Sequence, residues 1–403
     1  MKKRILIVTE YFYPEEFKIN DIALGWRDRG YVVDILTLNP TYPYGSIFEN
    51  YQNSWYTKDN YNEMTVYRLK SVTGYKKSLF KKLLKYFSFM FLGTLVSLKI
   101  GKKYDYVFGF DIGALTGMLP AVILKKFYNK RVVLWVQDIW PDSVYAYGFK
   151  KSKLLAFFLN SFVKFIYRHT DAFAITGQGF KERILPYIKN NQEICYIPNW
   201  ADDLDKSLEP FVFSEDNKRH FTFAGNIGKM QNLDNVIGAF GNLPQSYLNR
   251  VQLNIIGDGT ELENLKEKVA HHQLQNIMFW GRKPREEMNR YFQASDFLIV
   301  SLLDEPIFSL TIPAKVQTYI ASNKPILAIL KGDTIKIVEK YHLGYSAEPN
   351  NLKEIEEMFK KAIDTPDKKL SAFTHNCEEL TENLFNRENI IEDALSLLIG
   401  KSI

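Results

Sequence analysis

Short apolar runs rich in β-branched and aromatic residues alternate along the chain with stretches whose apolar positions recur every three or four residues. The runs predict strands over 4–9, 32–38, 65–69, 105–108, 131–136, 172–175 and 194–197, with helices between them over 19–29, 113–127 and 154–168. The alternation then breaks. Residues 200–220 are polar and acid-rich without a period, and read as a linker. A second alternation follows, with strands over 221–224, 252–256, 277–279, 297–300, 326–329 and 345–347 and helices near 233–240, 261–271, 285–293, 315–322 and 352–362; the tail over 378–398 is a further helix. Strands alternating with helices imply right-handed βαβ units and mainly parallel sheets.

The pattern therefore predicts an α/β chain of two Rossmann-like, doubly wound domains. The first spans 1–199, the linker 200–219 and the second 220–380, while a helix within 381–403 is expected to pack back on the first domain. In open parallel sheets ligands bind beyond the carboxyl ends of the strands. Two such domains facing a deep cleft would hold a donor on one wall and an acceptor on the other. The loops after the strands are where chemistry is expected.

Composition narrows the class. The chain has 403 residues, 46% of them hydrophobic and 24% charged, which excludes a disordered or collagen-like protein. Cys195 and Cys377 are too few for a disulfide framework or a cysteine zinc site, so a reducing compartment is expected. The apolar run at 5–8 is too short for a signal peptide, and that at 86–100 is too short to span a bilayer. A net charge of +6 suits an anionic partner, and an aromatic fraction of 15% suits ring stacking or a membrane interface.

Candidate chemistry follows the strands. Gly225-Asn226-Ile227-Gly228-Lys229 leaves a strand for a helix, where glycines admit a phosphate and Lys229 adds charge; a tight turn with a solvated lysine is the plainer alternative. Gly257-Asp258 ends the next strand, and Arg282 follows the one after, placed for a phosphate, a base edge or a surface ion pair. Ser309, Thr311, Pro313 and Lys315 gather hydroxyls, a helix start and a cation, which suits a diphosphate and sugar hydroxyls. In the first half, Asp138 beside Trp140 resembles a sugar-handling pair, with a turn-capping Asp as the alternative. Glu16, Lys18 and Asn20 follow the first strand and could meet a ligand at the next helix start.

Other chemistries are excluded or weak. No G-x-G-x-x-G follows the first strand, no Ser-centred nucleophile elbow occurs, and the six His lack metal spacing. Asp203-Leu204-Asp205 has a metal-binding D-x-D spacing but lies in the linker, so no metal site is assigned. Lys76, Lys77, Lys81, Lys82 and Lys85 flank an aromatic-rich stretch ending near residue 103. They read as insertion into an anionic leaflet surface, against the alternative of a core helix with a wet basic end. No recognised nucleic-acid module accompanies the charge.

Taken in order, Tyr-Phe-x-Pro-Glu at 11–15, Trp-Val-Gln-Asp-x-Trp-Pro-x-Ser at 135–143, Ile-Pro-Asn-Trp at 197–200, Ala-Gly-Asn-Ile-Gly at 224–228, Gly-Asp-Gly at 257–259, Trp-Gly-Arg at 280–282 and Ile-Pro-Ala-Lys at 312–315 cover nearly the whole chain. This series resembles the retaining nucleotide-sugar glycosyltransferases of family four, of GT-B fold. It is most similar to the bacterial capsule and O-antigen branch that includes N-acetyl-L-fucosamine transferases. The resemblance implies metal-independent transfer, with no cofactor beyond the nucleotide-diphosphate sugar, expected to be UDP-linked, and a polyprenyl-diphosphate-linked glycan as acceptor. It also implies a cytoplasmic protein peripheral on the inner face of the plasma membrane. Gly225–Gly228 match its phosphate loop, Gly257, Asp258 and Arg282 its nucleotide loops, and Asp138 the segment facing the reacting sugar. The chain departs from the family where a glutamate pair spaced E-x₇-E is replaced by Leu310 and Thr318, and where the loop's Arg and Lys are replaced by Asn226 and Gln231. A nucleotide-sugar epimerase and a non-catalytic assembly factor are the rival readings. The first is weakened by the scarcity of His in the motifs, and the second is prompted by the missing glutamates.

Overall fold

The computed structural model describes residues 2–402 except 76–77, 147–151, 202–203, 215–216 and 307. It divides into two compact units, Met1–Pro198 with Glu388–Ile403, and Asn199–Arg387.

The first unit is built on β1 (Arg4–Val8), β2 (Val32–Leu38), β3 (Tyr56–Tyr61), β4 (Met64–Leu69), β5 (Tyr106–Asp111), β6 (Arg131–Val136), β7 (Ala172–Ile175) and β8 (Glu193–Tyr196). They form one sheet in the order β3-β4-β2-β1-β5-β6-β7-β8. All neighbours run parallel except β3 and β4. The central strands are near-continuous apolar runs because both faces are covered; Ile5 to Val8 and Val132 to Val136 are fully buried. Chain order reverses at β1, so the crevice between the ends of β1 and β5 is the natural ligand site.

Two features of this unit depart from the sequence pattern. Strand β3 is an exposed, polar edge strand with no apolar alternation to reveal it. It joins β4 through Asn62 and Glu63, both at positive φ, as a tight hairpin demands. The aromatic-rich segment forms one 22-residue helix, Leu79–Ile100, long and apolar enough to cross a bilayer where the sequence suggested too short a run. Instead, one stripe of it (Lys85, Phe89, Gly93 and Ser97) is buried in the unit. Gly93 sits so close to Pro120 that an added Cβ would lie 2.8 Å from the ring.

The second unit comprises β9 (Arg219–Asn226), β10 (Val251–Asp258), β11 (Ile277–Gly281), β12 (Phe297–Ser301), β13 (Ile326–Ile329) and β14 (Gly344–Ala347). They form a wholly parallel sheet in the order β11-β10-β9-β12-β13-β14, with its switch point between β9 and β12. The segment expected as a linker is a built part of this unit. Phe211 and Phe213 pack on Trp280 and Tyr291, and the Phe211 N–H donates to the Arg290 carbonyl at 3.0 Å. Aperiodic segments can be anchored by a few aromatic residues that period-based reading ignores.

The expected tail helix is two helices, Asp367–Asn383 and Arg387–Ile399. The second belongs to the first unit. The Trp26 indole N–H donates to the Ile391 carbonyl at 3.0 Å, Arg131 donates to the carbonyls of Leu397 and Leu398, and Arg29 pairs with Glu388 and Glu392. Ile391 is buried against Gly25. Ile391→Ala should therefore destabilise the first unit by about 2–5 kcal/mol. Urea unfolding followed by tryptophan fluorescence measures this.

Candidate active site

In the second unit, β9 and β10 end on glycines paired in register, Gly225 with Gly257 and Asn226 with Asp258. Both glycines have positive φ, and a Cβ on Gly257 would overlap the Gly225 carbonyl oxygen. No side chain can stand there, so the two loops cross with backbone on backbone. They are stitched by the Ile227 N–H to the Asp258 carbonyl (2.8 Å) and the Glu261 N–H to the Ile227 carbonyl (3.0 Å).

Beside this crossing opens a cavity of about 950 Å³ whose lining includes Gly225, Asn226, Gly257, Asp258, Arg282, Lys315 and Thr318. Lys283, Arg285 and Tyr319 also line it, although the sequence motifs did not single them out. Lys283 and Arg285 directly follow Arg282 in a cationic turn, a signal that was available. Four cations thus meet one carboxylate, that of Asp258, an arrangement suited to a polyanion.

Lys315 is the sharpest feature of the cavity. Its ammonium is buried, has no hydrogen-bond partner and lies 4.0 Å from the centre of the Phe223 ring. Burial pushes its pKa down to about 8. Pro313 caps the helix Ala314–Ala321 that carries it. The ammonium stands 3.1 Å from where a Cβ on Gly225 would be, directly behind the glycine loop.

Other expected donor residues have different places. Gly228 and Lys229 lie beyond the cavity lining, with Lys229 exposed at the start of a single 3-10 turn. The Gln231 side-chain oxygen accepts from Asn226 Nδ2 (3.1 Å) and from the Gly228 N–H (3.0 Å), so the pair replacing the family's Arg and Lys braces the loop. Thr318 gives its hydroxyl to the Ala314 carbonyl at 3.2 Å. Ser309 donates to the Pro306 carbonyl, and Ser309, Leu310, Thr311 and Pro313 are absent from the cavity lining.

In the first unit, the ends of β1, β5 and β6 bring together three carboxylates: Glu10, Asp111 and Asp138. Glu10 and Asp111 are buried, and neither Glu10 oxygen nor Asp111 Oδ2 has a hydrogen-bond partner. Burial raises Glu10 to about 7, against the pull of Lys85. Burial, with the charges of Asp138 and Glu10, holds Asp111 well above the carboxylate range. Burial also raises Asp138 to about 6, although its Oδ1 accepts the Ile139 N–H at 3.0 Å. Among the described residues no group of His, Cys, Asp or Glu is placed to hold a metal ion. Asp203 lies outside those residues, and Asp205 caps Ser207.

Lys85 corrects the expectation of a membrane-facing lysine. It is 1% exposed, 3.5 Å from Glu10, and donates to the Tyr11 hydroxyl at 2.8 Å. It is the counter-charge of Glu10. Lys76 and Lys77 lie outside the described residues, Lys81 is exposed, and Lys82 is half-buried. Asn20 braces the preceding loop through the Tyr13 N–H and the Glu15 carbonyl, while Glu16 is exposed and Lys18 begins the next helix. Trp140 donates its indole N–H to the Gly113 carbonyl at 3.2 Å, tying the loops after β5 and β6 together.

Residues 205–379, nearly all of the second unit, match the family described as glycosyl transferases group 1. The chain is 28% identical over 253 residues to the probable glycosyltransferase WbjE of Pseudomonas aeruginosa, covering 59% of this chain and 62% of that protein. It is 22% identical over 397 residues to the putative colanic acid biosynthesis glycosyl transferase WcaI of Escherichia coli, covering 92% and 93%. The chain has the GT-B fold, and its second unit carries a group 1 glycosyltransferase domain. Its fold is shared with sucrose-phosphate synthase from Thermosynechococcus elongatus, at a TM-score of 0.68 and 14% identity over 99% of each chain.

Lys315→Ala should weaken nucleoside-diphosphate binding by about 10- to 100-fold, since a charge-assisted hydrogen bond contributes about 1.5–3 kcal/mol. A bound phosphate favours the ammonium, so the pKa in the complex lies above the free value of about 8. Below 8 both states hold the proton and this group adds no slope. Between 8 and the higher bound value the free protein has lost it, so affinity should fall as pH rises. Calorimetry across that range should find the fall in the wild type and a flat profile in the variant.

Proposed function

We propose that the protein is a retaining, metal-independent transferase that moves a sugar from a UDP-linked donor to a polyprenyl-diphosphate-linked glycan in bacterial capsule or O-antigen synthesis. The cavity of the second unit, with its buried Lys315 ammonium, is the observation that carries this reading. A diphosphate would supply the anion that the ammonium lacks, and the same charge would stabilise the leaving group as the glycosidic bond breaks. Lys229 stands outside the lining, so the reading rests the leaving-group charge on Lys315, aided by Arg282.

The first unit is assigned the acceptor. Asp138, with a pKa of about 6, can accept a hydrogen bond from an incoming hydroxyl and take part in its proton transfer near neutral pH. An N-acetylated deoxyhexosamine as the transferred sugar rests on the resemblance alone. Peripheral attachment to the cytoplasmic leaflet is supported by the exposed stripe Phe80, Leu84, Phe87, Phe91 and Leu95 on the helix Leu79–Ile100 and by the charges of Lys81 and Lys82 near its start.

Incubation with UDP-sugars and a polyprenyl-diphosphate glycan should yield an extended glycan whose new linkage keeps the donor's anomeric configuration. Isomerisation of the donor without acceptor would instead mark an epimerase, and inertness with retained membrane binding an assembly factor. Asp138→Asn should leave donor affinity intact while turnover falls by about 10²–10⁴-fold, the range of general acid–base catalysis. Steady-state kinetics alongside calorimetry separates the two effects, and unchanged turnover would return Asp138 to a turn-capping role. Each surface lysine contributes about 1 kcal/mol on an anionic membrane. Lys81→Gln with Lys82→Gln should then cut binding to phosphatidylserine vesicles by at least tenfold in sedimentation, with a smaller effect at high salt.

A further inference from the structure

Two helices of the first unit expose apolar faces. On the helix Lys153–Arg168, Leu154, Phe157 and Phe158 are 68%, 66% and 61% exposed, and on the helix Leu79–Ile100, Phe80 is 74% exposed. Between these helices lies a groove of about 610 Å³, walled by Leu83, Phe87 and Met90 on one side and by Phe158, Leu159 and Phe162 on the other. That volume falls within the range of small-molecule pockets. A flat bilayer would meet the outward aromatic residues first. The recess between them would be filled by a single extended chain.

Three observations choose the occupant. Lys82 is the charged side chain among the described lining residues, a cation for an anionic group attached to an apolar chain. Gly113, Thr116 and Trp140 also line the groove, and they belong to the loops that follow β5 and β6, which carry Asp111 and Asp138. The Thr116 hydroxyl is buried and has no hydrogen-bond partner, so a second polar group besides Lys82 lies in a largely apolar recess.

We infer that this groove binds the first isoprene units of the acceptor's polyprenyl chain, with its phosphate toward Lys82 and Thr116. The inference rests on the lipid-linked acceptor proposed above and adds where and how that lipid is held. The lipid would then be recognised by the protein itself as well as concentrated by the membrane. Its glycan would start beside Trp140, two residues from Asp138.

A fifteen-carbon prenyl phosphate carrying no glycan tests this in detergent-free buffer, below its critical micelle concentration, with titration calorimetry as the readout. Saturable binding is expected, with inorganic phosphate failing to compete at the same concentration. Leu159→Trp should weaken that binding at least tenfold by filling the groove. Phe158→Ser, which removes a wall without overpacking, should also weaken it, and both variants should keep nucleotide affinity in the second unit. Prenyl binding unchanged in both variants, or no saturable binding by the wild type while sugar transfer to the lipid-linked glycan proceeds, would overturn the inference and leave the transferase reading standing. Saturable binding lost in the variants, in a protein that transfers no sugar, would uphold the groove and remove the transferase reading instead.

Discussion

A buried ammonium with no hydrogen-bonding counter-ion is what the second unit is arranged around. Taking Lys315 out of water costs free energy that a cation–π contact with Phe223 offsets only in part, and the pKa near 8 records that imbalance. Glycine at 225 and 257 follows from the same constraint. Any side chain at Gly257 would collide with backbone, and one at Gly225 would press on the ammonium, closing the space through which an anion could reach it. The electrostatics of the cavity favour an anion there.

The first unit carries the opposite imbalance. Glu10, Asp111 and Asp138 are crowded at adjacent strand ends, with Lys85 reaching Glu10 from the long helix. Burial and mutual repulsion keep part of this cluster protonated near neutral pH, so it can hold and exchange protons. In the transfer proposed above, the cations of the second unit would meet the leaving diphosphate and the carboxylates of the first unit the arriving hydroxyl.

Much of this was legible in the sequence where a local rule forces the residue. Continuous apolar runs identified most strands because a parallel sheet covered on both faces admits little else. Gly225, Gly257, Arg282 and Lys315 follow strands or begin a helix, where the fold places ligands, and all four line the cavity. Strand β3 was not legible, because an exposed edge has no apolar face to alternate. Neither was the role of Lys85, for its position in sequence is that of a basic helix start and only tertiary packing turns it toward Glu10. Phe211 and Phe213 escaped for a related reason: two aromatic residues in an acid-rich segment carry no period, yet they bind the segment into the core. The resemblance to a family supplied what residues alone could not, namely which class of reaction.

The long helix carries two faces of different chemistry. Its buried stripe uses Gly93 to approach Pro120 and Lys85 to neutralise acids, both of which require a protein neighbour. Its outer stripe has large apolar side chains where a soluble domain normally places charge, and an exposed apolar face of this extent marks a contact surface. A helix hydrophobic on nearly every side would ordinarily be wholly buried or span a bilayer. Here the inner stripe is committed to the domain, so spanning would strip Lys85 from Glu10 and leave both charges uncompensated. In the peripheral attachment proposed above, lying along a membrane surface would keep that pair intact while the outer stripe leaves water.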